Sequence, residues 1–426
     1  MNYIKKYLFV FVMAGFLPLN SMSFAADDAP RNVVVWISID GVRGDYFGRS
    51  ETPFFDRMMR EGVYSLALAP VFPSLTFPNH VSQATGATVD QHGIPMNAFY
   101  DRATGRSYSF PGQSYLLEAE PIWVTTERQG RRTAVFDWVI SYGAFDGVKP
   151  AYQGSSYAGW KTDRERVEQV VETWAADAHD QPLQLLMGYM DGPDAVGHAR
   201  GPNSREVEES VEKADGIMGD LVSRAINLFN ERKQPGDQLY IMVTSDHGMS
   251  EVEYTVNPYY LSGIAREDSG GDEAIVLTSG TIAHVFIHNT MDEATRLARI
   301  NAVVEEARQH DFVDVYPHDD MPEHWGYNHP TRVGDVVFSL RKGYTFNRGT
   351  RGVVAPRSET GGHIGMHGYD VIDNPEMDGV FLLWRYPEPL GGHDLGATQA
   401  LQLHATVARL LDVDPAPTAY PQPILW

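Results

Sequence analysis

Continuous apolar runs along the chain alternate with stretches in which apolar residues recur every three to four positions. The run 33–39 is short and rich in β-branched residues, which predicts a strand buried on both faces. Runs 133–138, 183–190 and 239–244 have the same character. Helical spacing marks 53–61, with Thr52 as its N-cap and Gly62 as its stop, and also 164–176, 206–231 and a closing helix at 397–411. Strands alternating with helices predict an α/β fold: a mostly parallel central sheet with helices on both faces. Two regions break the rhythm. Residues 100–153 are rich in Gly, Tyr and Ser, and residues 254–357 hold one helical stretch (292–309) among short strand candidates and turns. Both are predicted to be insertions that form a cap region on a single catalytic domain spanning 26–426.

The first 25 residues follow a different pattern. Lys5 and Lys6 precede an apolar run at 7–19, and Ser23-Phe24-Ala25 follows with small residues at the positions a signal peptidase reads. A membrane anchor and a cleaved signal peptide are the two readings. The run is short for a bilayer span, and the cleavage pattern points to a signal, with a mature chain from Ala26 and export to the periplasm or exterior. No later segment is long and apolar enough to be an integral membrane helix.

The chain has no Cys, so any zinc would have to be bound by His and carboxylates. Its formal charge is −22, becoming −24 once Lys5 and Lys6 leave with the signal. That balance argues against long nucleic acid as a partner. A small anion remains compatible, because bound cations set the local field themselves.

In open α/β sheets, ligands bind beyond the carboxyl ends of the strands. Three of the predicted strands lead into Asp: Asp40-Gly41, Asp191-Gly192-Pro193-Asp194 with His198 four residues on, and Asp246-His247-Gly248. A further His-Gly-Tyr-Asp run begins at His367. A lone Asp after a strand would read as a helix cap. Several at equivalent positions would repel one another unless cations lay between them. In Thr76-Phe77-Pro78-Asn79-His80, Pro78 suits a first helical turn and Gly86 its end. On this segment alone Thr76 reads as an N-cap, and Asn97 as a turn residue.

Taken together, these pieces resemble the nucleotide pyrophosphatase/phosphodiesterase family of the alkaline phosphatase superfamily. The resemblance is carried by Ile39-Asp40-Gly41, Thr76 to His80, His92-Gly93-Ile94 with Asn97, Glu120 to Trp123, Pro193-Asp194 with Gly197-His198, Ser245 to Gly248 and His367 to Asp370. It implies an alkaline-phosphatase-like fold and two Zn2+ per chain. One would be held by Asp194, His198 and His367, the other by Asp40, Asp246, His247 and the Thr76 oxygen. Thr76 would be the nucleophile and form a phosphothreonine intermediate. Asn97 would bind a phosphate oxygen beside a backbone N–H of Thr76 or Phe77, and Phe77 and Tyr189 would stack on a nucleobase. The Trp-Pro-Gly usual in the family after the fourth strand is replaced by Phe136-Asp137-Trp138-Val139-Ile140, with Tyr152 and Tyr157 as other candidates for that wall.

The implied substrate is a small-molecule phosphodiester or nucleotide. Alternatives are a phospholipid head-group or glycerophosphodiester phosphodiesterase, and a phosphomonoesterase. The last would need an Arg beside the extra phosphate oxygens, and none is found near Thr76. His80 and His92 are expected to support the site, His363 and His393 are lesser ligand candidates, and Asp191 competes with Asp194.

Overall fold

The computed structural model describes residues 30–154, 159, 161–266, 274–288 and 292–426. The signal peptide expected at 1–25, and Tyr157, lie outside them.

The central sheet is built from β1 (Asn32–Ile39), β2 (Val63–Ala69), β3 (Arg132–Val135), β4 (Tyr152–Gln153), β5 (Leu183–Met190), β6 (Gln238–Thr244), β7 (Gly379–Tyr386), β8 (His393–Asp394) and β9 (Ala397–Gln399). Its order is β8–β2–β7–β6–β1–β5–β3–β4, with β9 also against β2. Among the described residues, β7 alone runs antiparallel to its neighbours in this sheet. The fold is therefore the expected α/β arrangement, with five strands, β2, β4, β7, β8 and β9, that the apolar pattern did not single out.

Alternation along the strands explains why both faces are covered. In β1, Val33, Val35, Ile37 and Ile39 point into one core, and Val34 and Trp36 into the other. The first core is covered by α1 (Pro53–Glu61) together with the helices Asp163–Ala176 and Arg205–Arg232. The second is covered by the helices Thr76–Thr85, Ile122–Arg128 and Gln402–Leu410.

Several boundaries depart from the sequence pattern. The strand expected at 133–138 stops at Val135, and Asp137 and Ile140 take positive φ (56° and 54°), so the chain leaves the sheet in a tight bend. The closing helix starts at Gln402, not Ala397, because Ala397–Gln399 pairs in parallel with β2. At α1, Thr52 makes no side-chain cap. Asp215, from the long helix Arg205–Arg232, instead accepts the N–H groups of Phe54 and Phe55 at 3.2 and 2.7 Å.

Within 254–357, the strands Ala274–Ser279, Ile282–Ile287, Val336–Leu340 and Val313–Pro317 form a separate antiparallel sheet in that order. It is packed against the helix Glu293–Ala307 around its own apolar core. Phe72 stacks on Trp325 at 3.6 Å between ring centroids, which ties this layer to the loop leading into Thr76. No described helix is long and apolar enough to cross a membrane.

Candidate active site

Strands β6, β1 and β5 are neighbours, so the residues that follow them meet at one edge of the sheet. Asp40 follows β1, Asp246 and His247 follow β6, and the helix Gly192–Arg200 after β5 carries Asp194 and His198 one turn apart. His367 arrives from far along the chain. The two-residue strand Gly365–Met366 pairs with Ser250–Glu251 and lays the His367 ring on that of His247, with centroids 3.5 Å apart. Gly41 makes this convergence possible. Its φ is +70°, and a Cβ on it would lie 2.8 Å from Cα and Cβ of Asp194.

Thr76 opens the helix Thr76–Thr85. The loop before it is fixed by Asn79, whose Oδ1 accepts the Val71 N–H at 2.7 Å and whose Nδ2 donates to the carbonyls of Pro73 and Leu75. As the first residue of the helix, Thr76 has no intrahelical partner for its N–H. Asn97 accepts the Phe77 N–H through Oδ1 at 3.0 Å. That N–H is therefore already bonded within the protein, a difference from the role the resemblance left open for it. The Nδ2 amine of Asn97 is the donor left to face a ligand.

Two groups of ligand-type atoms result. In the first, Nε2 of His198 lies 3.4 Å from Asp194 Oδ2, and Nε2 of His367 lies 3.6 Å from Asp194 Oδ1 and 3.2 Å from Nε2 of His198. In the second, Nε2 of His247 lies 3.5 Å from Asp40 Oδ1, 3.1 Å from Asp246 Oδ2 and 3.3 Å from Thr76 Oγ1. The ten residues to which the resemblance assigns metal, phosphate or base binding thus lie in or beside one site.

The histidine tautomers follow from their other nitrogens. Nδ1 of His198, His247 and His367 faces the backbone carbonyls of Gly365, Gly248 and Ser74 at 2.8, 3.0 and 2.9 Å. A carbonyl only accepts, so each Nδ1 carries the proton and each Nε2 turns a lone pair towards the carboxylates. His80 differs. Its Nδ1 donates to the Thr76 carbonyl at 2.9 Å and its Nε2 meets Ser38 Oγ at 2.8 Å, so both nitrogens are engaged and the ring acts as a support. His363 is exposed, with its ring 4.6 Å from that of His198, while His393 lies on the edge strand β8.

The electrostatics fit a cation. Oδ1 of Asp40, Oδ1 of Asp194 and Oδ2 of Asp246 are buried without a hydrogen-bond partner. Burial, and then the charges of Asp246 and Asp194, push the Asp40 carboxyl well above its ordinary range. Burial likewise pushes Asp194 up to about 7, against the pull of His247. Burial opposes ionisation of Asp246 too, but His247 and His80 beside it outweigh that and hold it below the usual range. Burial, with His247 and His198 nearby, drives His367 well below its ordinary value. Leaving a buried carboxylate oxygen unpaired costs several kcal/mol. Divalent cations held by His nitrogens and carboxylate oxygens would relieve that cost, and Asp194–His198–His367 and Asp40–Asp194–His247 are both compact enough to hold one.

Beside Thr76 is a cavity of about 150 Å³ walled by Phe77, Tyr189, Phe110, Trp138, Ile140 and Tyr142. The segment that replaces Trp-Pro-Gly is therefore a wall of this cleft. Tyr152 is not; it lies at the sheet edge and donates to Asp177 at 3.0 Å. Tyr189 also donates its hydroxyl to Asp40 Oδ2.

Sequence reading missed Asp163 and Arg166, in the first turn of the helix Asp163–Ala176. Asp163 accepts the N–H groups of Asp191 and Gly192 at 2.9 and 3.2 Å, capping the helix that bears Asp194 and His198. The buried Arg166 guanidinium lies 3.3 Å from Asp137 in the cleft wall. One helical turn thus supports both the ligand-bearing helix and the wall. Capping residues of the same helix are common, but an acidic residue that caps a different helix leaves no short-range sequence signal.

The sequence model of the family described as type I phosphodiesterase / nucleotide pyrophosphatase matches residues 34–370. An uncharacterised pyrophosphatase/phosphodiesterase of Schizosaccharomyces pombe is 28% identical over 402 residues, covering 91% of this chain and 78% of that protein. A bis(5'-adenosyl)-triphosphatase of Bos taurus is 26% identical, covering 89% and 78%. Among solved structures, an inactive Thr→Ala variant of murine ectonucleotide pyrophosphatase/phosphodiesterase 5 in complex with AMP superposes with a TM-score of 0.77 at 24% identity, covering 91% of this chain and 96% of that one.

Proposed function

Because the chain belongs to the type I phosphodiesterase / nucleotide pyrophosphatase family, we propose that it is a two-zinc hydrolase acting on nucleotide phosphodiester or phosphoanhydride bonds through a phosphothreonine intermediate. One observation carries the reading: three Nε2 lone pairs and three unpaired carboxylate oxygens converge beside Thr76 Oγ1. Asp194, His198 and His367 would hold one zinc ion and Asp40, Asp246, His247 and Thr76 Oγ1 the other, and the pair would supply Lewis-acid stabilisation of the charge on the attacking and leaving oxygens.

Thr76 Oγ1 loses its proton to solvent and attacks phosphorus. The Oγ1–P bond forms as the bond from phosphorus to the leaving oxygen breaks, and that oxygen departs with the electron pair. Water then adds to phosphorus, Thr76 leaves with a proton, and a nucleoside monophosphate is released. Asn97 Nδ2 donates to a non-bridging oxygen, which stabilises charge where it develops. Phe77 and Tyr189 offer aromatic faces to a base, which bind without selecting one. The adenosine-containing substrate and ligand in the names of two relatives agree with a nucleotide. The leader at 1–25 accords with an exported enzyme.

The test is a panel of a nucleotide diester, a phosphomonoester and a choline phosphodiester, each with and without chelator. Turnover of the nucleotide, lost with chelator and in Thr76→Ala at unchanged zinc content, is expected. Full activity in Thr76→Ala, or preference for the choline ester, would overturn the reading.

A further inference from the structure

The region 254–357 holds a cavity of about 630 Å³ that shares no residue with the candidate metal groups or with the cleft beside Thr76. Three arginines line it: Arg266 from one segment, Arg348 and Arg351 from a later one. Its lining contains no carboxylate among the described residues, in a chain of formal charge −22. Other arginines of the same region are ion-paired, Arg296 with Asp335, Arg332 with Asp101 and Glu118, and Arg341 with Asp314. Arg266, Arg348 and Arg351 form no ion pair with a described residue. Asn257 joins the two segments. Its Oδ1 accepts the Tyr259 N–H at 3.0 Å, which caps the short helix Pro258–Ser262. Its Nδ2 donates to the Thr350 carbonyl at 2.8 Å, in the loop that carries Arg348 and Arg351. The Arg348 guanidinium is held over the Tyr259 ring, 5.8 Å from its centroid, and the exposed Tyr260 ring lines the same cavity.

Like charges gathered around one cavity disfavour one another unless an opposite charge lies between them. At the active site the crowded groups are carboxylates and call for cations; here they are guanidinium groups and call for an anion. We propose that this cavity is a second ligand site, separate from the catalytic centre, for a small soluble molecule bearing two linked phosphoryl groups. The guanidinium fork pairs its donors with phosphate oxygens, and the charge on both partners strengthens those bonds. A single phosphate monoester carries about −1.5 to −2 at neutral pH, short of three positive charges, so a second phosphoryl group completes the match. The volume lies within the range of about 300–1,000 Å³ usual for small-molecule sites. The Tyr260 ring adds an apolar flank for an organic group attached to the phosphoryl groups. Binding here requires neither zinc nor Thr76, so the site stands apart from the reaction proposed above.

The probe is methylenediphosphonate, a diphosphate analogue that resists hydrolysis, and the readout is backbone hydrogen exchange of the zinc-loaded enzyme, which reports each segment separately. Amides in 257–266 and 348–352 are expected to slow several-fold on addition of the probe. The concentration giving half of this effect should rise about ten-fold or more in the double variant Arg348→Gln/Arg351→Gln. Turnover of a nucleotide diester should stay at the wild-type rate in that variant, because neither residue belongs to the active site. Arg266→Gln, from the other segment, should raise the concentration several-fold and keeps the test open if the double variant fails to fold. Sulfate at the same ionic strength, and vesicles of phosphatidylglycerol that present single phosphodiesters on a surface, should not slow these amides. The proposal is overturned if the probe slows only segments around Thr76, if sulfate slows 257–266 and 348–352 equally, if the vesicles alone do so, or if the folded variants respond at the wild-type concentration.

Discussion

The Tyr189 hydroxyl donates to Asp40 Oδ2 at 2.7 Å. One side chain therefore presents an aromatic face to the cleft beside Thr76 and orients a carboxylate of the proposed zinc site. These roles separate by substitution. Tyr189→Phe keeps the ring and removes the donor, so zinc affinity should fall about ten-fold or more while KM for a nucleotide stays near wild type. Tyr189→Leu should raise KM as well. Zinc competition titrations beside steady-state kinetics check this; a Phe variant with unchanged affinity would show that the hydroxyl does not support Asp40.

Asp163 caps a helix other than its own, and that helix carries two of the proposed zinc ligands. Asp163→Ala leaves two helix N–H groups without an acceptor. Stability should fall by about 1–2 kcal/mol. Zinc affinity should drop with it, because Asp194 and His198 then sit on a frayed turn. Arg166→Met should behave differently, raising KM with less effect on zinc, since Arg166 faces Asp137 in the cleft wall. Identical effects from the two variants would refute this division of roles.

Substitution of Gly41 tests the close approach of β1 to the ligand-bearing helix. Gly41→Ala meets both a left-handed backbone and a contact of 2.8 Å to Asp194. A loss of about 2–4 kcal/mol in urea unfolding is expected, combining overpacking with the conformational penalty. Unchanged stability would mean that the strand end and the helix can part without cost.

Three buried histidines away from the zinc groups set an acid limit. Burial pushes His92 and His284 down to about 3 and His404 to about 4. His404 accepts the Ala416 N–H at Nε2 and donates from Nδ1 to the Ala84 carbonyl, an arrangement that requires the neutral ring. The unfolded chain takes up these protons near pH 6.5, whereas the folded chain resists until far lower. The stability they confer is complete above pH 6.5 and is lost as pH falls towards 4. In chelator, to remove metal release from the comparison, His404→Gln should flatten the loss between pH 6.5 and 4.5 by up to about 1.4 kcal/mol per pH unit. Parallel curves for variant and wild type would contradict this.

Legibility in the sequence followed burial. Strands β1, β5 and β6 are covered on both faces and read as unbroken apolar runs. β2 carries Tyr64 and Ser65 among its apolar residues, and its pattern stayed below notice. Ala397–Gln399 has helix-forming residues, yet pairing with β2 decides its conformation. In the site, Asp40, Asp246 and His247 were legible because sheet topology places strand ends together. Asp163 and Phe110 were not, because only tertiary packing brings the helix turn and the exposed loop to the same place.

The position of β7 governs when the protein can fold. Each neighbour of β2 in the sheet comes from residue 379 or later. The site side chains, by contrast, are all present once residue 367 has been synthesised. A growing chain thus owns all of its proposed metal ligands before it can close the sheet beneath them, and pairings that span more than 300 residues are slow to form. Molecules stopped short of β7 would display β2 and the flank of β6 as open edges, and would recruit other chains instead of their own C-terminal segment.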